Sequence, residues 1–168
     1  MSHMLLKTNR FTVERCLKTL PDGRTVPREV IRHPGSVAIL PLLDESTVVM
    51  IHNTRPAIGR ELLELPAGTL EADEAPETCA ARELEEETGY RAKDFELIGR
   101  FYTTPGYCDE YMHAYVATNL THVGQNLDTT EEITVQMRAI DDLRRMIARG
   151  ELEDSKTIAM LAAYLLRG

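Results

Sequence analysis

Paired cysteines, long apolar runs and basic stripes are all missing from this 168-residue chain. Cys16, Cys79 and Cys108 are odd in number and fall in no CxxC or Cys/His ligand spacing. That argues against a disulfide framework and fits a reducing cytoplasm. No apolar run reaches the ~20 residues of a transmembrane helix. No basic-then-apolar segment reads as a signal peptide, and Met1-Ser2-His3-Met4 reads as an expression scar over residues 1–4, so His3 is given no role. No basic stripe is available to track a nucleic-acid backbone. Repeats and low-complexity segments are absent too. Neither nucleic acid nor membrane is therefore an expected partner.

What is present is an ordinary globular composition, 43% hydrophobic and 27% charged. The length suits one domain with a small appendage. A chain of this size buries roughly 70% of its unfolded surface, so it needs neither disulfide nor metal to fold. The 19 basic and 27 acidic residues give a formal net charge of -8, but unevenly. Between Glu61 and Gly89 lie ten acids and one base, Arg82, so the rest of the chain is nearly neutral. Such a patch repels nucleic acid and anionic membranes, and either sits in water or binds cations.

The pattern along the chain predicts strands over Phe11–Leu20 and Thr25–Ile31, flanking the turn Pro21-Asp22-Gly23. Pro27 marks the second as an edge or a bulge. Residues 5–33 form an antiparallel hairpin unit too poor in apolar residues for its own core. Residues 34–168 form the main domain. Within it the pattern predicts strands over Val37–Leu43, Thr47–His52, Glu61–Leu65, Phe95–Thr103, Tyr111–Thr118 and Ile133–Ile140. A helix is expected over Ala75–Thr88. Two more run over about Asp142–Arg149, with Asp141 as N-cap, and Lys156–Arg167, with Ser155 as N-cap. Mixed strands with few helices argue an α+β fold, a sheet sandwiched between helices.

The middle helix carries more acid than a helix should. At 100° per residue, Glu83, Glu86 and Glu87 share one face. Ala80, Ala81, Leu84 and Thr88 take the adjacent arc, which can face the core, while Glu85 and Arg82 point elsewhere. Each like-charged i,i+3 or i,i+4 pair costs about 0.2–0.5 kcal/mol. Acids near a helix C-terminus also oppose its dipole. A divalent cation resolves both, and clustered hard oxygens suit Mg²⁺ or Mn²⁺. The ordinary alternative is a solvated acidic face.

The wider segment resembles the Nudix hydrolase box. Gly68, Glu74 and Arg82-Glu83-Leu84-Glu85-Glu86-Glu87-Thr88-Gly89-Tyr90 fit Gly-x5-Glu-x7-Arg-Glu-(apolar)-x-Glu-Glu-x-Gly-(aliphatic), departing only at aromatic Tyr90. The resemblance implies an α/β/α sandwich, the Nudix fold, with a mixed β-sheet and an N-terminal antiparallel β-hairpin extension. It makes Glu83, Glu86, Glu87 and the Ala67 carbonyl metal ligands, and Glu86 and Glu87 catalytic. Gly68 would serve backbone turning, Gly89 the helix stop, and Glu74 and Arg82 would be structural, the arginine orienting the carboxylates. No covalent nucleophile is suggested.

Beyond the box, residues 25–166 resemble the ADP-ribose pyrophosphatase subfamily. The likeness lies in Arg28-Glu29-Val30-Ile31, His33-Pro34-Gly35-Ser36-Val37, Asn53-Thr54-Arg55-Pro56, Glu64-Leu65-Pro66-Ala67-Gly68, Thr104 to Glu110 and Asp154-Ser155-Lys156-Thr157. Pro105 lies 15 residues past Tyr90, the subfamily spacing. The resemblance implies a phosphate contact at Arg55 and a terminal-ribose contact at Glu110. Arg28 and Glu29 would contact the adenine of a neighbouring subunit's substrate in a homodimer. In the loop Asp128-Thr129-Thr130-Glu131-Glu132-Ile133, Glu131 best fits the further ligand or base and Glu132 is second. Thr129 stands where some relatives have a second acid. The expected reaction is Mg²⁺-dependent hydrolysis of ADP-ribose to AMP and ribose 5-phosphate. The alternatives are another nucleoside diphosphate derivative, such as GDP-mannose, or a nucleotide-binding sensor that does not hydrolyse.

Overall fold

The computed structural model describes residues 3–127, 129 and 131–167. Asp128 and Thr130 of the acidic loop, and Met1 and Ser2 of the leading segment, lie outside those residues. Among the described residues, twelve strands and three helices follow one another. The first three, β1 (His3–Lys7), β2 (Thr12–Thr19) and β3 (Thr25–Arg32), form an antiparallel sheet in the order β1-β2-β3. Strand β1 is an addition to the expected hairpin, and it begins inside the segment read as a scar. Its run of exposed residues carries no period-two signal, and only pairing with β2 (Met4 opposite Glu14) makes it a strand.

Seven of the remaining strands build two sheets between helices. One sheet runs β7 (Ala67–Thr69), β4 (Ser36–Pro41), β10 (Tyr111–Thr118), β9 (Asp94–Tyr102). It is mixed, because β4 and β10 are parallel while β9 and β7 run against their neighbours. The other is antiparallel, in the order β12 (Ile133–Ala139), β5 (Thr47–Arg55), β6 (Arg60–Glu64). Two short strands, β8 (Tyr90–Arg91) and β11 (Thr121–His122), pair with each other. They are too short for their pattern to stand out in the sequence.

Strand β4 is buried along its whole length because alternate side chains feed two cores. Val37 and Ile39 meet Cys79, Ala80 and Leu84 of α1 (Pro76–Thr88). Ala38 and Leu40 face a second cluster with Leu143 of α2 (Ile140–Arg149) and Met160 and Leu161 of α3 (Ser155–Leu165). That is the expected helix–sheet–helix layering. Each fully buried Ile or Leu contributes roughly 1.5–3 kcal/mol. No helix among the described residues is long and apolar enough to cross a membrane.

Three local expectations are corrected. Ala139, not Asp141, is the N-cap of α2, which starts at Ile140 with both aspartates in its first turn. Asp154, not Ser155, caps α3 by accepting from the Thr157 N–H at 3.0 Å. Ala81 is exposed on α1, and Cys79 takes its place in the core.

Candidate active site

Helix α1 begins at Pro76, whose missing N–H costs nothing at the first turn. It stops at Gly89, which has φ 72° and donates to the Glu85 carbonyl. A side chain at Gly89 would also press on the backbone of Gly124 and Gln125, at 2.7–3.2 Å. The same segment covers the helix end. Gln125 Nε2 donates to the Glu87 carbonyl at 2.7 Å, and Asn126 N–H to that of Glu86 at 3.1 Å. These bonds cap the last carbonyls and tie the segment after β11 to the end of α1.

Glu83, Glu86 and Glu87 line one cleft of about 790 Å³ together with Gly68, Arg55 and Glu131. The shared face expected from the helical wheel thus opens on a cavity, and Ala67 lines it too. Glu132 is not in this cleft; it lines an adjoining pocket with Glu131, Arg55 and Arg10. Glu87 is buried, and its Oε2 accepts the Ala67 N–H at 2.8 Å. Burial pushes its carboxyl up to about 8; that N–H opposes the rise, and the charges of Glu83 and Glu131 add to it. Burial likewise raises Glu83 to about 6, against the pull of Arg82.

Arg82 does not point away from this face. Its stem leaves the helix to one side, but its guanidinium reaches back. Nη1 donates to Glu83 at 2.8 Å and to Glu86 at 3.0 Å. Nε and Nη2 form a fork on Glu74, at 2.9 and 3.0 Å, and hold that carboxyl down to about 2. A helical wheel places Cβ atoms, and a long side chain can cross to the next face. Arg82 therefore relieves part of the like-charge cost. Among the described residues, no three His, Cys, Asp or Glu side chains are drawn up as ligands around one point. The guanidinium holds Glu83 and Glu86, and a backbone amide holds Glu87.

Gly68 also has a different reason from the one expected. It lies in β7 without a positive φ. A Cβ there would fall on the Cγ, Cδ and Oε1 atoms of Glu83, far inside van der Waals contact. The glycine makes room for the carboxylate; it does not turn the chain.

Glu110, just before β10, accepts from Ser36 Oγ at 2.7 Å and Thr103 Oγ1 at 2.6 Å. It lines a second chamber of about 310 Å³ that shares Arg55, Ala67 and Gly68 with the acidic cleft. The turn Thr104–Cys108 is tied to β3, where Ile31 N–H donates to the Tyr107 carbonyl at 2.7 Å. Arg28 and Glu29 are not brought to the cleft. Both are exposed on β3, and Glu29 pairs with Arg15 at 2.9 Å. Sequence reasoning gave no role to Glu64 or Lys156, although both stood in quoted stretches. Their signal was charge in segments that pack as core.

The raised carboxyls give a pH dependence. Their folded values lie above the ordinary 4.5, so folding favours their neutral forms. That stability is complete below about 4.5 and is lost as pH rises through about 6 and about 8. In EDTA, the Tm of the wild type should fall relative to that of Glu87→Gln between about pH 5 and pH 9, and a flat difference would contradict this. A cation entering the cleft must displace these protons, so calorimetry in buffers of different ionisation enthalpy should read proton release near pH 7.

A layered fold and a carboxylate-lined cleft on a loop–helix–loop together define the class. The NUDIX domain family model matches residues 32–161, and the chain belongs to the Nudix family. A Bacillus subtilis (strain 168) protein named ADP-ribose pyrophosphatase is 41% identical over 140 residues, which cover 82% of this chain and 76% of that one. A Mycobacterium tuberculosis (strain ATCC 25618 / H37Rv) protein of the same name is 38% identical over 156 residues, covering 91% and 75%. A solved structure described as an ADP compounds hydrolase aligns with a TM-score of 0.81 at 20% identity, over 98% of this chain and 89% of that one, and so shares the fold.

Proposed function

We propose that this chain is a Nudix pyrophosphohydrolase that cleaves ADP-ribose to AMP and ribose 5-phosphate. The observation that carries the reading is the convergence of Glu83, Glu86, Glu87 and Glu131 on one cleft beside Arg55. The names borne by the relatives support the substrate. The donor set is all oxygen and largely carboxylate, which fits Mg²⁺ or Mn²⁺. Glu83, Glu86, Glu87, Glu131 and the Ala67 carbonyl would hold it. When bound, such an ion screens the diphosphate oxygens, activates water and stabilises the leaving phosphate. Arg82 keeps Glu83 and Glu86 in place, and Arg55 offers the diphosphate a guanidinium. Glu131, with Glu132 second, takes the proton of the attacking water as a new P–O bond forms and the bridging P–O bond breaks. Glu110 in the adjoining chamber accepts from the terminal ribose.

A panel of ADP-ribose, GDP-mannose, other ADP-sugars, flavin and coenzyme A nucleotides, assayed with Mg²⁺, tests the substrate. ADP-ribose should lead in kcat/KM by roughly tenfold or more. A higher value for another diphosphate would move the substrate, and tight ADP-ribose binding with no product would make the chain a sensor.

The homodimer belongs to the same reading, with the N-terminal strands as its contact unit. Met4, Leu5, Leu6 and Leu17 are exposed on that sheet, and a second copy would cover them. Arg28 and Glu29 would then reach the partner's adenine. Light scattering should give twice the 18.9 kDa chain mass; a single-chain mass would remove both assignments. Three free cysteines fit a cytoplasmic location.

A further inference from the structure

Two acids among the described residues are buried, Glu87 in the cleft and Glu64 behind it. Glu64 ends β6 and is fully buried. Its carboxylate accepts a fork from Arg55 of the neighbouring strand β5, Nε to Oε1 at 2.7 Å and Nη2 to Oε2 at 2.5 Å. Lys156 Nζ, from the first turn of α3, donates to the same Oε2. The lysine is 9% exposed and also donates to Asp154 at 2.9 Å. Asp154 is engaged elsewhere as well, capping α3 through the Thr157 N–H and hydroxyl. The Thr157 hydroxyl in turn accepts the Leu65 N–H at 2.8 Å. The start of α3 is thus stitched to the chain just before the cleft.

A guanidinium has five N–H donors. The fork on Glu64 uses one on Nε and one on Nη2, which leaves three. Arg55 keeps 40% of its side chain exposed and lines both the acidic cleft and the chamber holding Glu110. One edge is locked inward and the rest faces the space where the two chambers meet. Paired with Glu64 alone, Arg55 would be neutralised. Lys156 shares the Glu64 charge, so Arg55 is not its sole counter-ion; with Asp154 on Lys156 the four side chains balance, and the guanidinium keeps three N–H donors for an incoming anion.

We infer that Glu64 and Lys156 are positioning residues that hold the Arg55 guanidinium, still cationic, against the substrate's diphosphate. This rests on the reading of Arg55 as the diphosphate contact. The test is a double-mutant cycle of Arg55→Ala and Glu64→Gln, read in KM and kcat for ADP-ribose and in calorimetric binding of inorganic pyrophosphate with Mg²⁺. Each single change should weaken KM and pyrophosphate binding about tenfold with a smaller loss of kcat, and the double variant should be within about twofold of Arg55→Ala. Lys156→Met should raise KM several-fold, and Lys156→Arg should restore most of it. Equal losses from Glu64→Gln with and without Arg55, or an unchanged KM in Lys156→Met, would overturn the inference. If Glu64→Gln does not fold, the two Lys156 variants decide. A wild type that leaves ADP-ribose intact would remove the proposed substrate only, because pyrophosphate binding still reads the coupling.

Discussion

Glu86→Gln and Glu87→Gln should each lower kcat by about 10²–10⁴-fold, while Glu85→Gln stays within about twofold of wild type. The three positions are consecutive and chemically identical, so composition cannot separate them; direction can. Glu86 and Glu87 line the cleft, whereas Glu85 is turned to Arg91, which grips it with two bonds of 2.9 Å. The substitutions also separate activity from folding. Without metal near pH 7, Glu87 is largely protonated, since burial pushes it up to about 8. A glutamine amide imitates that neutral form and can still accept the Ala67 N–H. Glu87→Gln should therefore fold at least as well as wild type in EDTA and yet be inactive with Mg²⁺. Measured kcat and Tm for the three variants check this, and equal losses at Glu85 would sink the helix-face account.

Gly68→Ala should cost about 100-fold in activity and only about 1–3 kcal/mol in stability. The added methyl needs the space that Glu83 occupies. Strand β7 is held by pairing with β4, with Val37 opposite Gly68, so the backbone resists moving. The carboxylate is the softer partner and swings away, breaking its 2.8 Å contact with Arg82. The clash is thus transferred from the fold to the chemistry. A crystal structure or metal titration of the variant would show Glu83 displaced. Full activity with Glu83 in place would contradict the close-approach role.

Much of this was legible in sequence because the signals were local. The spacing of Glu83, Glu86 and Glu87 fixes a shared helix face whatever surrounds it, and Gly89 marks the helix end. Strand β4 reads as an unbroken apolar run because both its faces are covered. Arg82 was misplaced because periodicity describes the backbone, and its long side chain crosses to the acidic face. Gly68 was misread because a close approach between residues 15 apart leaves no mark at either site. Strand β1 owes its form to pairing with β2 and not to a pattern of its own, and β8 to β11, a partner about 30 residues along the chain. The Glu64, Arg55 and Lys156 cluster joins strand and helix across 92 positions, a distance at which no spacing rule operates.

Product analysis of ADP-ribose incubated with the purified chain tests the central claim most directly. With Mg²⁺, mass spectrometry should find AMP and ribose 5-phosphate in equal amounts, and EDTA should abolish both. Intact ADP-ribose in the presence of Mg²⁺, or turnover that survives EDTA, would contradict a metal-dependent pyrophosphatase built on Glu83, Glu86, Glu87 and Glu131.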